Sequence, residues 1–302
     1  MTVIAPRRIG GVTGPPKPGA APNSHSSNSP ESIIAQCGFE DSESLIWRPR
    51  LTICSMGREK TGKTRFTLSA PGPIAIFNFD RPLEPEVLQI AQVMGKKVYH
   101  KNYIAGLNSG TQEDWRRLWN QFKSDWEKLC GVCRTVVQDT GTGAWELCRL
   151  ANFGRVDKIM PHKYGPVNNE FEQVIKLPFK TSGLNSILTH RYKKEYKGTG
   201  AVKKPAGSDD DKEVWTGKFE RQGFGGAAYE MQICLEHFRS SVIAGDDGVN
   251  RQASGEEQYG IRIMESGLEG ATTVGMELRG ADCNFQYLGL MAVPSSGPED
   301  WE

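Results

Sequence analysis

Short apolar runs alternating with longer helical patterns predict an α/β fold, a mostly parallel sheet flanked by crossover helices, with a β extension at the C-terminal side. Two further observations point the same way. A chain of 302 residues with 37% hydrophobic and 24% charged residues has the size and balance for one large or two ordinary domains. A glycine-rich turn also lies where a strand passes into a helix, the junction on which such sheets build ligand sites.

Residues 1–44 read as a flexible N-terminal tail. The first thirty hold six Pro, four Gly and four Ser and no aromatic ring, too little apolar surface to offset the entropy of ordering. Residues 45–240 read as the core. Its strands are LTICS from Leu51, PIAIFNF from Pro73, KKVYH from Lys96, RTVVQD from Arg134 and LNSILTH from Leu184. Helical spacing joins them over residues 84–94, 112–129, 143–153 and 167–179. In the second of these Trp115, Leu118, Trp119, Phe122, Trp126 and Leu129 recur every three or four positions, a stripe read as core packing. A polar, basic loop insert spans 190–217. Beyond it YEMQICLEHF from Tyr229 and EQYGIRIME from Glu257 alternate as strands, with residues 241–293 a β-rich extension. Residues 294–302 end in EDWE, an acidic tail read as a frayed terminus.

Lys plus Arg number 37 against 36 for Asp plus Glu, a net charge of +1, so nucleic-acid binding would have to come from a local patch. No apolar run reaches the roughly 18 residues that span a bilayer, and the N-terminus lacks the apolar run of a signal peptide. The expectation is therefore a cytoplasmic chain with no membrane partner and with its seven cysteines reduced. Cys130 and Cys133 have C-x-x-C spacing without a second pair, and read as structural thiols.

The strongest chemical signal is GREKTGKT, Gly57 to Thr64, which fits the phosphate-binding pattern G-x-x-x-x-G-K-[ST] in full and stands between a strand and a helix start. Gly57 and Gly62 let the backbone turn and bring successive N–H groups towards phosphates. Arg58, Glu59, Lys60 and Thr61 form the loop between them, and Arg65 follows it. Lys63 supplies a point charge to the β and γ phosphates, the Thr64 hydroxyl can ligate Mg²⁺, and the helix start adds its dipole. TVVQDT places Asp139 at the end of a buried strand, where its carboxylate serves the Mg²⁺ side. Asp80, ending PIAIFNFD, and Glu84 four residues later are the candidates to activate water. Thr189 and His190 end the fifth strand as a candidate γ-phosphate sensor.

With those residues placed, the chain resembles the RecA-like P-loop ATPases found in bacteriophage genomes, often described as AAA-domain or nucleotide-binding proteins. GREKTGKT, PGPIAIFNFDRP, TVVQDTGTGAWEL, and YGPVNNEF leading to LNSILTHRYKKEY carry the resemblance over about Leu45 to Glu236. It implies a core that binds and hydrolyses ATP with Mg²⁺ near Thr64 and Asp139, and a catalytic acid after the second strand. It also implies homo-oligomeric rings or filaments, recombination or replication as the setting, and single-strand-annealing or single-strand-binding proteins as partners. Arg191, Lys193 and Lys194 then stand where a subunit's basic residue reaches a neighbour's nucleotide.

From His190 to Lys204 six Lys or Arg face one Glu, with Tyr192 and Tyr196 between them. Cations interleaved with aromatics suit single-stranded DNA, so Arg191, Lys193, Lys194 and Lys197 are candidate DNA contacts. GRVDKIMPHKYG from Gly154 is a second, weaker one. The sequence-level reading is a Mg²⁺-dependent ATPase acting on single-stranded DNA. A nucleoside or nucleotide kinase and a non-hydrolysing nucleotide-dependent scaffold stand as alternatives.

Overall fold

The computed structural model describes residues 30–39, 48–104, 109–156, 159–197, 214–244, 251–268 and 272–302. The chain divides into two compact units, residues 1–46 and 47–302. In the first, part of the expected tail forms helix α1 (Pro30–Gln36), whose proline stands at the first helical position, where its missing N–H costs no bond.

The second unit is built on an eight-stranded sheet. Its strands are β1 (Thr52–Gly57), β2 (Ile74–Asn78), β3 (Val98–Asn102), β4 (Thr135–Asp139), β5 (Asn185–His190), β8 (Ile233–Ala244), β9 (Arg251–Ser266) and β10 (Glu277–Arg279). They run in the order β10-β9-β8-β1-β5-β4-β2-β3. From β8 to β3 every pairing is parallel, and β9 and β10 close the far edge antiparallel. β5 lies between β1 and β4, so the P-loop strand and the Asp139 strand both flank the strand that carries Thr189. β1 and β5 are apolar or small along most of their length and buried on both faces, as parallel strands covered by helices must be.

One face of the sheet packs against α4 (Gln112–Cys130), α5 (Gly141–Phe153) and α6 (Tyr164–Lys176). The expected aromatic stripe lies in this core, with Trp115, Trp119, Phe122 and Trp126 all buried. Phe122 meets Phe77 and Phe79 edge-on at 5.5 and 4.9 Å, the geometry aromatic quadrupoles favour. Helix α4 starts on a reciprocal cap: the Thr111 hydroxyl accepts from the Asp114 amide, and the Asp114 carboxylate accepts from the Thr111 amide, satisfying two donors no helical carbonyl reaches. The other face packs against α2 (Lys63–Leu68), α3 (Pro85–Val93) and α8 (Phe285–Ala292).

Four expectations change. The polar insert carries a two-stranded antiparallel sheet, β6 (Tyr192–Lys197) with β7 (Val214–Arg221); residues 198–213 lie outside the described residues. The run from Tyr229 begins with a helical turn, α7 (Ala227–Glu230), and turns to strand only at Ile233. The expected boundary at residue 241 falls inside β8, which runs on to Ala244, and the β extension continues the main sheet through β9 and β10. The acidic tail is not frayed: Trp301 is 0% exposed, lies 5.9 Å from the Phe285 ring, and donates its indole N–H to Ser296 Oγ at 2.8 Å. A tryptophan among three acidic residues reads as surface in the sequence, but the groove beside α8 that receives it is set by tertiary packing. Among the described residues no helix is long and apolar enough to cross a membrane.

Candidate functional site

The register of the sheet builds the site. Ser55 of β1, Thr189 of β5, Asp139 of β4 and Asn78 of β2 are successive register partners, so they form one transverse row at the carboxyl edge. In-register partners share a face, and here the row faces the side of the sheet that carries α2.

The P-loop runs from the end of β1 to the start of α2. Lys63 turns back over it and donates from Nζ to the carbonyl oxygens of Gly57 at 2.9 Å and Arg58 at 2.6 Å. Thr61 Oγ1 donates to Arg58 O at 2.8 Å and closes the turn. Gly62 sits at φ +90° as the N-cap of α2, and a Cβ there would stand 2.7 Å from the Tyr259 ring; both conditions demand glycine. Burial lowers the Lys63 pKa, and the charges of Asp139, Glu59 and Asp80 oppose that shift.

Asp139 is the hub of the row. Thr189 Oγ1 donates to its Oδ1 at 2.6 Å and Thr64 Oγ1 meets its Oδ2 at 3.5 Å. Burial pushes the carboxyl above its ordinary pKa, against the Thr189 bond and the charge of Lys63. Ser55 Oγ, in the same row, is buried without a hydrogen-bond partner, a position that costs free energy unless a polar guest completes it. A hydroxyl and a carboxylate with oxygen donors nearby suit Mg²⁺, a hard cation. Thr64 and Asp139 fit the ion as ligands.

Asp80 lies just beyond the row. Its amide donates to Asn78 Oδ1 at 3.4 Å, and Asn78 Nδ2 in turn donates to Asn102 Oδ1 at 2.9 Å and to the Arg81 carbonyl. Both Asp80 oxygens accept from the Arg191 guanidinium, Oδ2 from Nε at 3.1 Å and Oδ1 from Nη2. Arg191, a candidate for reaching a neighbouring subunit, is therefore engaged within its own chain. Glu84 is exposed at the N-cap of α3 and is not among these contacts.

The two residues ending β5 part company. Thr189 faces Asp139, whereas His190 points to the opposite face. There it is 0% exposed, with Nδ1 3.2 Å from Gln222 O and 3.5 Å from Thr142 Oγ1. Alternation along a strand explains the split. Tyr192, expected to offer a stacking face, stacks on Phe219 at 5.9 Å and donates to Glu236 at 2.8 Å. Lys193 pairs with Glu220 at 3.0 Å across the hairpin, Lys194 is exposed, and the side chain of Lys197 lies outside the described residues.

Two residues at the P-loop carry no motif in the sequence. Tyr259 packs on Gly62, with the guanidinium groups of Arg65 and Arg239 5.6 and 5.3 Å from its ring centre. His237 is the register partner of Gly57 on β8. Its ring meets Phe66 edge-on at 5.3 Å, its Nε2 is unpartnered, and burial with the charge of Lys63 drives its pKa down to about 3. Only the parallel pairing of β8 with β1 brings it there. Arg58, inside the loop, lies 4.5 Å over the Phe219 ring of β7.

A cavity of about 840 Å³ adjoins the carboxyl edge on the side of α5. Asp80 and Arg191 line it, together with Trp145, Arg149, Arg155 and Thr142. Cys130 and Cys133 are both free, and burial pushes the Cys130 thiol up to about 12, the behaviour of an inert, packed thiol.

No family model matches the sequence, and no curated protein matches it. Among solved structures the chain is similar to the RadB recombinase, at 10% identity and a TM-score of 0.39 over 82% of this chain and 91% of that one. It is also similar to the flagellar accessory protein FlaH from Methanocaldococcus jannaschii, at 8% identity and 0.32 over 73% and 80%. A third is an ATPase from the type III secretion system of pathogenic bacteria, at 8% identity and 0.35 over 62% and 50%. The fold assignment stands on the strand order and the position of the P-loop.

Proposed function

We propose that this chain is a Mg²⁺-dependent ATPase that couples nucleotide turnover to single-stranded DNA. The observation that carries the reading is the convergence of the Lys63 ammonium, the Thr64 hydroxyl and the Thr189-bound Asp139 carboxylate at one edge of the sheet. In this reading the loop amides and Lys63 hold the β and γ phosphates, and Tyr259 offers the nucleoside an aromatic face beside Gly62. Mg²⁺ held by Thr64 and Asp139 would screen the phosphate oxygens. Asp80, coupled electrostatically to Lys63 and Asp139, takes a proton from the attacking water. The water oxygen bonds to the γ phosphorus, and the bond from that phosphorus to the bridging oxygen breaks with its electron pair leaving on ADP.

Support for a nucleic-acid substrate comes from the basic hairpin root at Arg191, Lys193 and Lys194, and from Arg149 and Arg155 in the neighbouring cavity. Assembly into a ring or filament, action beside a single-strand-binding or annealing protein, and phage recombination or replication as the setting belong to the same proposal. The test is phosphate release by the wild type and Lys63→Ala, with and without single- and double-stranded DNA. Lys63-dependent release raised by single strands is expected; failure of the wild type to bind ATP in a direct titration overturns the reading.

The size of the cavity favours a second reading, a phosphotransferase with a small-molecule acceptor. Incubation with ATP and a panel of nucleosides separates the two, since only a kinase yields a phosphorylated acceptor.

A further inference from the structure

We propose that Cys54 and Cys234 form a modification site for hydrogen peroxide: Cys54 is oxidised first, with His190 as its base, and Cys234 then closes a disulfide between β1 and β8. The proposal is independent of the ATP reading.

The sheet brings the two thiols together. Cys54 and Cys234 are register partners on neighbouring parallel strands, on the face that carries α5. Neighbouring strands lie about 4.8 Å apart, within the span of Cα atoms that a disulfide joins. Both thiols are free and buried, 0% and 1% exposed.

His190 supplies the base. Leu188, the partner of Cys54 on β5, shares this face, and His190 two residues on therefore shares it as well. His190 Nδ1 lies 3.2 Å from the Gln222 carbonyl, which can only accept, so Nδ1 carries the ring proton and Nε2 keeps its lone pair. That Nε2 is buried without a hydrogen-bond partner. The Cys54 thiol is held well below its ordinary pKa: the hydrogen bond with Cys234 lowers it most, burial opposes, and His190 and the charge of Arg221 lower it further. At Cys130 and Cys148 burial instead pushes the thiol up, so the neighbours make the difference.

The way in is the cavity. Thr142 and Gln222, which stand against the His190 ring, line it together with Gly223. A Cβ on Gly223 would be 3.3 Å from His190 Nδ1, so the ring lies directly beneath that wall. Local opening of the wall admits a neutral oxidant of about the size of water and excludes a bulky charged one such as oxidised glutathione.

In the first step the Cys54 proton passes to His190 Nε2, the sulfur attacks one peroxide oxygen and the O–O bond breaks. The departing oxygen takes the proton back from Nε2 and leaves as water, with Cys54 now a sulfenic acid. The Cys234 sulfur then bonds to that of Cys54, the S–O bond breaks, and the hydroxyl leaves with the Cys234 proton as a second water. The two thiols lose two electrons and one peroxide gains them.

The experiment treats the full chain with hydrogen peroxide, quenches it with an alkylating reagent in urea and digests it with trypsin. Cys54 lies alone in the peptide Leu51 to Arg58 and Cys234 alone in Gln222 to Arg239. The two should appear linked, lighter than their sum by two hydrogens, rejoined as thiols by dithiothreitol, and unlinked after oxidised glutathione. Cys234→Ala should leave Cys54 as a sulfenic acid that dimedone traps in the urea quench, and Cys54→Ala should leave Cys234 a thiol. His190→Gln should slow linkage roughly tenfold or more. Thermal midpoints establish that each variant is folded; where His190→Gln is not, the two cysteine variants decide. A link that forms only in chain already unfolded by urea overturns the site. So does oxidation of Cys234 at an undiminished rate in Cys54→Ala, an undiminished rate in folded His190→Gln, or peroxide that oxidises the exposed Cys37 and leaves Cys54 and Cys234 as thiols.

Discussion

Lys63→Met separates what the glycine-rich loop would do for a nucleotide from what it does for the fold. Methionine keeps most of the aliphatic stem and removes the ammonium, which donates to the carbonyls of Gly57 and Arg58 at 2.9 and 2.6 Å. Burial lowers the Lys63 pKa, so folding penalises its charged form. The folded pKa lies below the unfolded one, so at pH values below both the charge opposes folding. Removing it should leave the thermal midpoint of the ligand-free protein unchanged or slightly raised. A charge-assisted bond to phosphate contributes about 1.5–3 kcal/mol, so ATP affinity should fall roughly 10- to 150-fold. Calorimetric titration with ATP and Mg²⁺, alongside thermal unfolding without ligand, gives both numbers. An affinity within about twofold of the wild type would refute the argument, because Lys63 would then not face the phosphates.

Thr189→Val removes the 2.6 Å bond to Asp139 and should reduce Mg²⁺-dependent turnover roughly 10- to 100-fold, read from phosphate release across a Mg²⁺ titration. His237 has its pKa lowered to about 3, below the ordinary value near 6.5, so its contribution to stability is whole above that value and is lost as the pH falls towards 3. Between pH 6.5 and 5 the loss is about 2 kcal/mol, and denaturant midpoints should show it in the wild type and not in His237→Phe. Trp301→Ala empties a buried indole site and should cost about 3–5 kcal/mol; the fall in midpoint should come with unchanged ATP affinity, and a frayed terminus would give no fall.

The sequence makes legible whatever is local. GREKTGKT gives the loop because its spacing is a backbone requirement, and TVVQD gives Asp139 because an apolar run ending in a carboxylate marks a strand edge. The aromatic stripe of α4 follows from helical periodicity alone. Contacts made by distant pairing are not written in any window. His237 reaches Gly57 because β8 lies beside β1, and Tyr259 reaches Gly62 because β9 follows it; both stand in segments whose alternation reveals a strand and not its neighbour. The Asp80–Arg191 pair joins residues 111 apart, and each reads separately as a turn residue or a surface cation. The parity of β5 was available in principle: adjacent strand residues face opposite ways, so Thr189 and His190 could not both serve the γ phosphate. Trp301 shows the limit of composition, since its acidic neighbours say nothing of the groove it fills.

The pairing of β8 with β1 fixes where this protein can be cut. A fragment stopping before Ile233 would contain every residue of the P-loop and Asp139 and look complete by motif, yet its β1 would become an outer strand with a row of unsatisfied amides and carbonyls. Exposed strand edges recruit other chains, so such a truncation should come out of expression as aggregate, and deletion mapping that equates the motif-bearing region with the minimal folding unit would wrongly score the last quarter of the polypeptide as a solubility tag.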